Sequence, residues 1–107
     1  MLNVLQMNLD LNSRMIYRNI KLTKLVRELP CQHCGIQSDT VCAAHRNEGK
    51  GMGSKVSDAL VAALCHECHF HLDNGKELSK EDRRDMWNRA YINTIQYLFE
   101  HGMIGVK

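Results

Sequence analysis

Apolar residues recur every three or four positions near both ends of this 107-residue chain and form short unbroken runs between them. Near the start, Met15, Ile16, Leu22, Leu25 and Val26 interleave with Arg14, Arg18, Lys21, Lys24 and Arg27. That spacing predicts an amphipathic helix or arm with a basic face over residues 1–29. Such a face suits solvent and phosphate contacts equally well. Pro30 breaks the pattern, and residues 31–35 read as a tight knuckle followed by a turn through Gln37, Ser38 and Asp39. A short strand is expected over residues 40–45, with the apolar run at 61–64 as its partner. Between them, residues 47–55 carry Gly49, Gly51, Gly53, Lys50 and Lys55 and read as a loop. A helix is expected to begin near Cys68 and stop at Asn74 and Gly75. Ser79 followed by Asp82 marks the start of a long helix. Its broad apolar stripe, Met86, Trp87, Ala90, Tyr91, Ile95 and Leu98, belongs to a core, and Gly102 ends it.

Length changes this picture by limiting the core. A chain of this size buries at most about two thirds of its unfolded surface, so one small domain over residues 30–107 needs an added staple. The formal charge of +2 and pI near 8.3 are only mildly basic, so a nucleic-acid partner has to be argued from local charge. No apolar run approaches the roughly 20 residues that span a bilayer, which predicts no membrane partner. Residues 1–11 are interrupted by Asn3, Gln6, Asn8 and Asp10 and lack a signal-peptide core, so a cytoplasmic location is expected.

The staple is visible in the cysteines. Cys31 and Cys34, and Cys65 and Cys68, form two Cys-x-x-Cys pairs, which in a reducing compartment read as metal ligands rather than disulfides. Four thiolates close a tetrahedral zinc site with no position left for substrate, so this zinc is structural. A mixed site using His33 or His66 is the alternative. Thirty residues separate the pairs, and zinc would pin the two segments together. The fifth cysteine, Cys42, reads as a small buried hydrophobe.

With zinc saturated by sulfur, the histidines need another explanation. His69 and Asp73 lie four apart and share a helix face, where an imidazole nitrogen and a carboxylate oxygen suit Mg²⁺ or Mn²⁺. The plainer alternative is that His69 packs on the knuckle and Asp73 is a surface residue. His45 ends the predicted strand, in the segment that zinc pins beside the second knuckle, and imidazole can take a proton from water near neutral pH. Arg46, Lys50 and Lys55 supply charge for a phosphate backbone. The glycines of residues 47–55 lack the strand-to-helix setting of a dinucleotide site.

These residues together resemble the HNH, or ββα-metal, endonuclease superfamily in its four-cysteine form. The likeness rests on Cys31-Gln32-His33-Cys34, Ala43-Ala44-His45-Arg46 and Leu64-Cys65-His66-Glu67-Cys68-His69. More narrowly, the Gly-x-Gly-x-Lys loop, Asp58 and the tail resemble small phage and prophage nucleases of the YbcO type, over roughly residues 14–107. The resemblance implies an α+β, zinc-stapled ββα-metal domain with flanking helices. It implies His45 as general base, His69 and Asp73 as ligands of a catalytic Mg²⁺ or Mn²⁺, and Asp58 as a brace for the loop that carries the base. Many such enzymes place a metal ligand just before the base, where this chain has Ala44. The expected function is therefore a metal-dependent DNA endonuclease in phage or prophage DNA processing or recombination. The alternatives are a non-catalytic zinc module that binds nucleic acid and a zinc-held protein-interaction domain. The apolar residues of the last helix and tail also permit a homodimer.

Overall fold

A computed structural model describes residues 16–47, 56–75 and 77–107. Lys50, Lys55 and the basic residues before position 16 lie outside them. The described residues form an α+β domain built on one antiparallel hairpin-like pair of strands.

Helix α1, Ile20–Arg27, starts where the Asn19 side chain accepts a hydrogen bond from Leu22 N at 3.0 Å. Its Lys21, Lys24 and Arg27 are exposed, while Val26 and the following Leu29 are buried against the sheet. The predicted basic face therefore exists over the helical part of this segment.

Strand β1, Cys42–His45, pairs with β2, Val61–Leu64, in the register Cys42 with Leu64 through His45 with Val61. β1 is two residues shorter than the pattern suggested. All four β2 residues are buried, so both of its faces are covered. Its outer edge is also closed. Ala63 N donates to Thr94 Oγ1 at 3.0 Å, and Ala63 O accepts from Gln32 N at 2.8 Å. These bonds satisfy backbone groups that β1 cannot reach.

Helix α2, His66–Asn74, begins two residues earlier than expected because Cys65 itself is the N-cap. Helix α3, Lys80–Glu100, is capped by Ser79, whose Oγ accepts from Asp82 N at 3.0 Å. It ends in a Schellman motif, with Met103 N bonded to Leu98 O and Gly102 N to Phe99 O, and Gly102 supplies the required φ of +67°. Met86, Trp87, Ala90, Thr94 and Leu98 face the sheet and Tyr91 and Ile95 are half-buried, so the stripe is core. No helix among the described residues is long and apolar enough to cross a membrane.

Candidate functional site

The first knuckle is a closed backbone loop. Cys31 N donates to Ile36 O and Cys31 O accepts from Gly35 N, both at 2.9 Å, which requires the φ of +81° that Gly35 adopts. The turn brings Cys34 N to 3.5 Å from Cys31 Sγ. Gln32 ties the knuckle to β2 through its N–H and to α3 through its carbonyl, which accepts from Asn93 Nδ2 at 3.3 Å. The second knuckle forms where β2 runs straight into α2, placing Cys65 at the N-cap and Cys68 in the first turn.

The four sulfur atoms lie within 4.8 Å of one another, and Cys34 Sγ is 3.8 Å from Cys65 Sγ. A tetrahedron with Zn–S bonds of about 2.3 Å has edges of about 3.8 Å, so the donor set and its spacing fit zinc. Its electrostatics fit as well. Burial opposes the Cys31 thiolate, but backbone N–H groups of Cys34, Cys65 and His33 outweigh it and bring the thiol down to about 6. Cys68 is pushed the other way, by burial and then by the thiols of Cys65, Cys34 and Cys31. Thiols this close ionise together only around a cation. His33 and His66 are exposed and outside the group. The four cysteines can hold a zinc ion.

His45 projects from the end of β1 toward Asp58, with Nε2 2.8 Å from Oδ1. Asp58 is nearly buried, with its side chain 9% exposed. Its Oδ1 also accepts from Arg18 Nη1 at 3.1 Å, its Oδ2 accepts from Asn19 N at 2.8 Å, and its own N–H donates to Tyr17 O. The His45 contact, then the Asn19 N–H and Arg18, hold the Asp58 carboxyl below its usual range. Asp58 thus touches the histidine directly and ties it to residues 17–19 ahead of α1, while most of the loop it was expected to brace lies outside the described residues. With Nε2 committed to the carboxylate, Nδ1 is the nitrogen left to accept a proton. Arg18 and Asn19, which fix this carboxylate from 40 and 39 residues away, were not legible as site residues in the sequence.

His69 and Asp73 meet as the helix spacing predicted, with Nε2 3.2 Å from Oδ2. The two donor atoms lie close to the edge length of about 3.0 Å of an octahedron with bonds of about 2.1 Å. The other side of each residue is held. Asp73 Oδ1 accepts from Asn47 Nδ2 at 3.1 Å, and His69 Nδ1 is 3.1 Å from Cys42 Sγ. Cys42 is half-buried, and its thiol donates to Leu64 O at 3.3 Å. Burial, then the negative charge of Cys65 and Asp73, pushes that thiol up and keeps its proton in place. The sulfur is then able to accept from Nδ1–H in the His69 tautomer that carries its proton there. Cys42 is accordingly an orienting contact for His69 rather than a passive hydrophobe. The signal for it was its place three residues before His45, on the opposite strand face.

Strand alternation divides these groups. Cys42 and Ala44 share the face toward α2, whereas His45 points to the other face. Ala44 therefore stands where a third ligand would project, but it is 1% exposed and its carbonyl accepts from Trp87 Nε1 at 2.9 Å. Among the described residues His45 makes no hydrogen bond to His69 or Asp73, and Asn47, two residues beyond it, supplies the link to Asp73. Arg46 lines a cavity with Asp73 and three cations of α3.

Fold and site together define a small α+β domain with a four-cysteine cluster of zinc-like geometry. No protein-family model, curated protein or solved structure matches the chain.

Proposed function

We propose that this protein is a metal-dependent DNA endonuclease of the HNH type, acting in phage or prophage DNA processing. The observation that carries the reading is the pairing of His69 Nε2 with Asp73 Oδ2 at 3.2 Å, in the helix that the second cysteine pair opens. His45, at the end of β1 and 2.8 Å from Asp58, adds a proton acceptor. His45 Nδ1 takes the proton of a water molecule as that water attacks phosphorus, and Asp58 stabilises the imidazolium that results. His69 and Asp73 are the residues that would hold Mg²⁺ or Mn²⁺, and such an ion supplies positive charge to the departing 3′ oxygen. Cys42 and Asn47 keep those two ligands oriented. Arg46 contacts the phosphate backbone. The four cysteines, through a structural zinc, fix α2 against β1 and β2. Hydrolysis in this manner leaves a 5′ phosphate.

A second reading, a zinc-stabilised module that binds nucleic acid without cutting it, is favoured by buried Ala44, which leaves two protein ligands for the ion. Plasmid incubated with zinc-loaded protein and Mg²⁺ or Mn²⁺, beside His45→Ala, separates the two. The nuclease reading expects nicked or linear product from the wild type alone. Intact plasmid with both proteins, across metals, removes it; equal cutting by both removes His45 from its role.

A further inference from the structure

The cavity at the start of α3 was not foreseen from the cysteine and histidine motifs. It encloses about 260 Å³ between the exit of β1, the end of α2 and the first turns of α3. Lys80, Arg83, Arg84 and Arg46 line it, with Asp73 the one carboxylate among its described lining residues. Leu72 and Trp87, both buried, form its apolar floor. Arg83 is anchored by a hydrogen bond to Gly75 O, yet its Nε is buried and has no hydrogen-bond acceptor among the described residues. A buried guanidinium N–H without an acceptor, in a cluster of cations, calls for an anion.

Two further observations narrow the anion. Its volume of about 260 Å³ has room for one phosphate with its sugar. Lys80, Arg84 and Asn88 are all exposed and four apart, so they share one face of α3 and continue the polar surface outward in steps of about 6 Å. A row of this kind matches a repeating polyanion better than a single free ion. Asp73 belongs both to the cavity wall and to the pair with His69, so whatever occupies the cavity lies next to that pair.

We propose that this cavity seats a backbone phosphate of the DNA strand, adjacent to the phosphate that is cut, and that Lys80, Arg83 and Arg84 are its binding residues. The proposal rests on DNA as the substrate of the His69–Asp73 site. It adds the α3 cations to the interface and gives the strand a direction, from the His69–Asp73 pair along α3.

The test is binding without cutting. Zinc-loaded full-length protein is titrated onto a labelled duplex oligonucleotide with no Mg²⁺ or Mn²⁺ added, and fluorescence anisotropy is read at several salt concentrations. Lys80→Gln with Arg84→Gln is expected to raise Kd at least about tenfold and to flatten the log Kd against log salt slope by about 1 to 2, as loss of one or two phosphate contacts requires. Arg89→Gln with Lys107→Gln removes the same charge outside the cavity and is expected to stay within about twofold of wild type. Zinc content and thermal midpoint, measured for each protein, show that the fold is retained. Unchanged binding by the cavity variant, equal weakening by both variants, or no binding by the wild type overturns the proposal. Displacement of the oligonucleotide by an equal concentration of deoxynucleoside monophosphate also overturns it, by assigning the cavity to a free nucleotide. The nuclease reading fails separately, on uncut plasmid, so tight binding without cleavage leaves the cavity assignment standing.

Discussion

Asp58→Asn keeps the shape of the side chain while removing its charge and one acceptor oxygen. In the wild type Oδ2 takes the Asn19 N–H, and Oδ1 takes both His45 Nε2 and Arg18 Nη1. If asparagine keeps its oxygen on Asn19, its amide nitrogen faces two donors. Arg18 is then displaced, and His45 can pair only by accepting at Nε2, which moves its proton to Nδ1. The reverse orientation sets the amide against the Asn19 N–H. Charge-assisted bonds contribute about 1.5–3 kcal/mol when buried, but Arg18 and His45 are 45% and 36% exposed at the side chain. Discounting for solvent, the loss is about 2 kcal/mol. A domain with stability in the usual range of about 5–15 kcal/mol stays folded. On the proposed function cutting suffers more, because a proton on Nδ1 removes the general base, a step that typically contributes about 10²–10⁴ in rate. Urea denaturation and plasmid nicking, run in parallel with Arg18→Gln, separate the effects. Arg18→Gln is expected to lower stability by under about 1 kcal/mol and leave the rate within about threefold. Wild-type cutting by folded Asp58→Asn, or an equal rate loss in both variants, refutes the orienting role. The pH dependence supplies a second check. Asp58 has its carboxyl held below the ordinary 3.8, so its stabilisation is complete above that value and is lost as pH falls below it toward the lowered folded-state value. Asp58→Asn should therefore flatten the acid limb of the stability profile and leave neutral pH to the hydrogen-bond loss alone.

Cys65→Ser removes one of the four clustered thiols, and the expected outcome by elemental analysis is a fall from one zinc per chain in the wild type to none, together with loss of helical circular dichroism. Full structure without zinc would refute the staple. Thr94→Val, nearly isosteric, leaves Ala63 N without its acceptor at a position 0% exposed, and should cost about 1–3 kcal/mol by urea denaturation with its zinc retained. A cost near zero would show that the β2 edge finds another partner.

The parts legible in the sequence are those that depend on local spacing. The cysteine pairs and the i, i+4 pair His69 and Asp73 each lie within one turn of chain, so their geometry follows from the element that carries them. The cap at Ser79 and the stop at Gly102 are local in the same sense. What was not legible joins distant segments. Arg18 and Asn19 reach Asp58, Gln32 reaches Ala63, and Cys42 reaches His69 only because the packed sheet brings them together. Helix α2 began early for a comparable reason, since a cysteine with no side-chain cap bond occupies the N-cap where Ser, Thr, Asp or Asn is the usual signal.

The division of β1 into two faces accounts for the form of the proposed site. A third ligand at position 44 would point toward α2, into space filled by the core, where an added side chain typically costs about 1–3 kcal/mol in overpacking. Trp87, bonded to the Ala44 carbonyl and stacked on Tyr91 with ring centroids 5.0 Å apart, fixes the backbone there. The chain thus gives position 44 to the core, and on the proposed function His69 and Asp73 are the two side chains that would hold the ion. On the proposed function, ion and DNA then bind cooperatively: each phosphate oxygen supplied by the substrate replaces a missing protein ligand. The cationic cavity beside Asp73 would deliver that oxygen, and Asn47, which links the exit of β1 to Asp73, ties the histidine's strand to the same point.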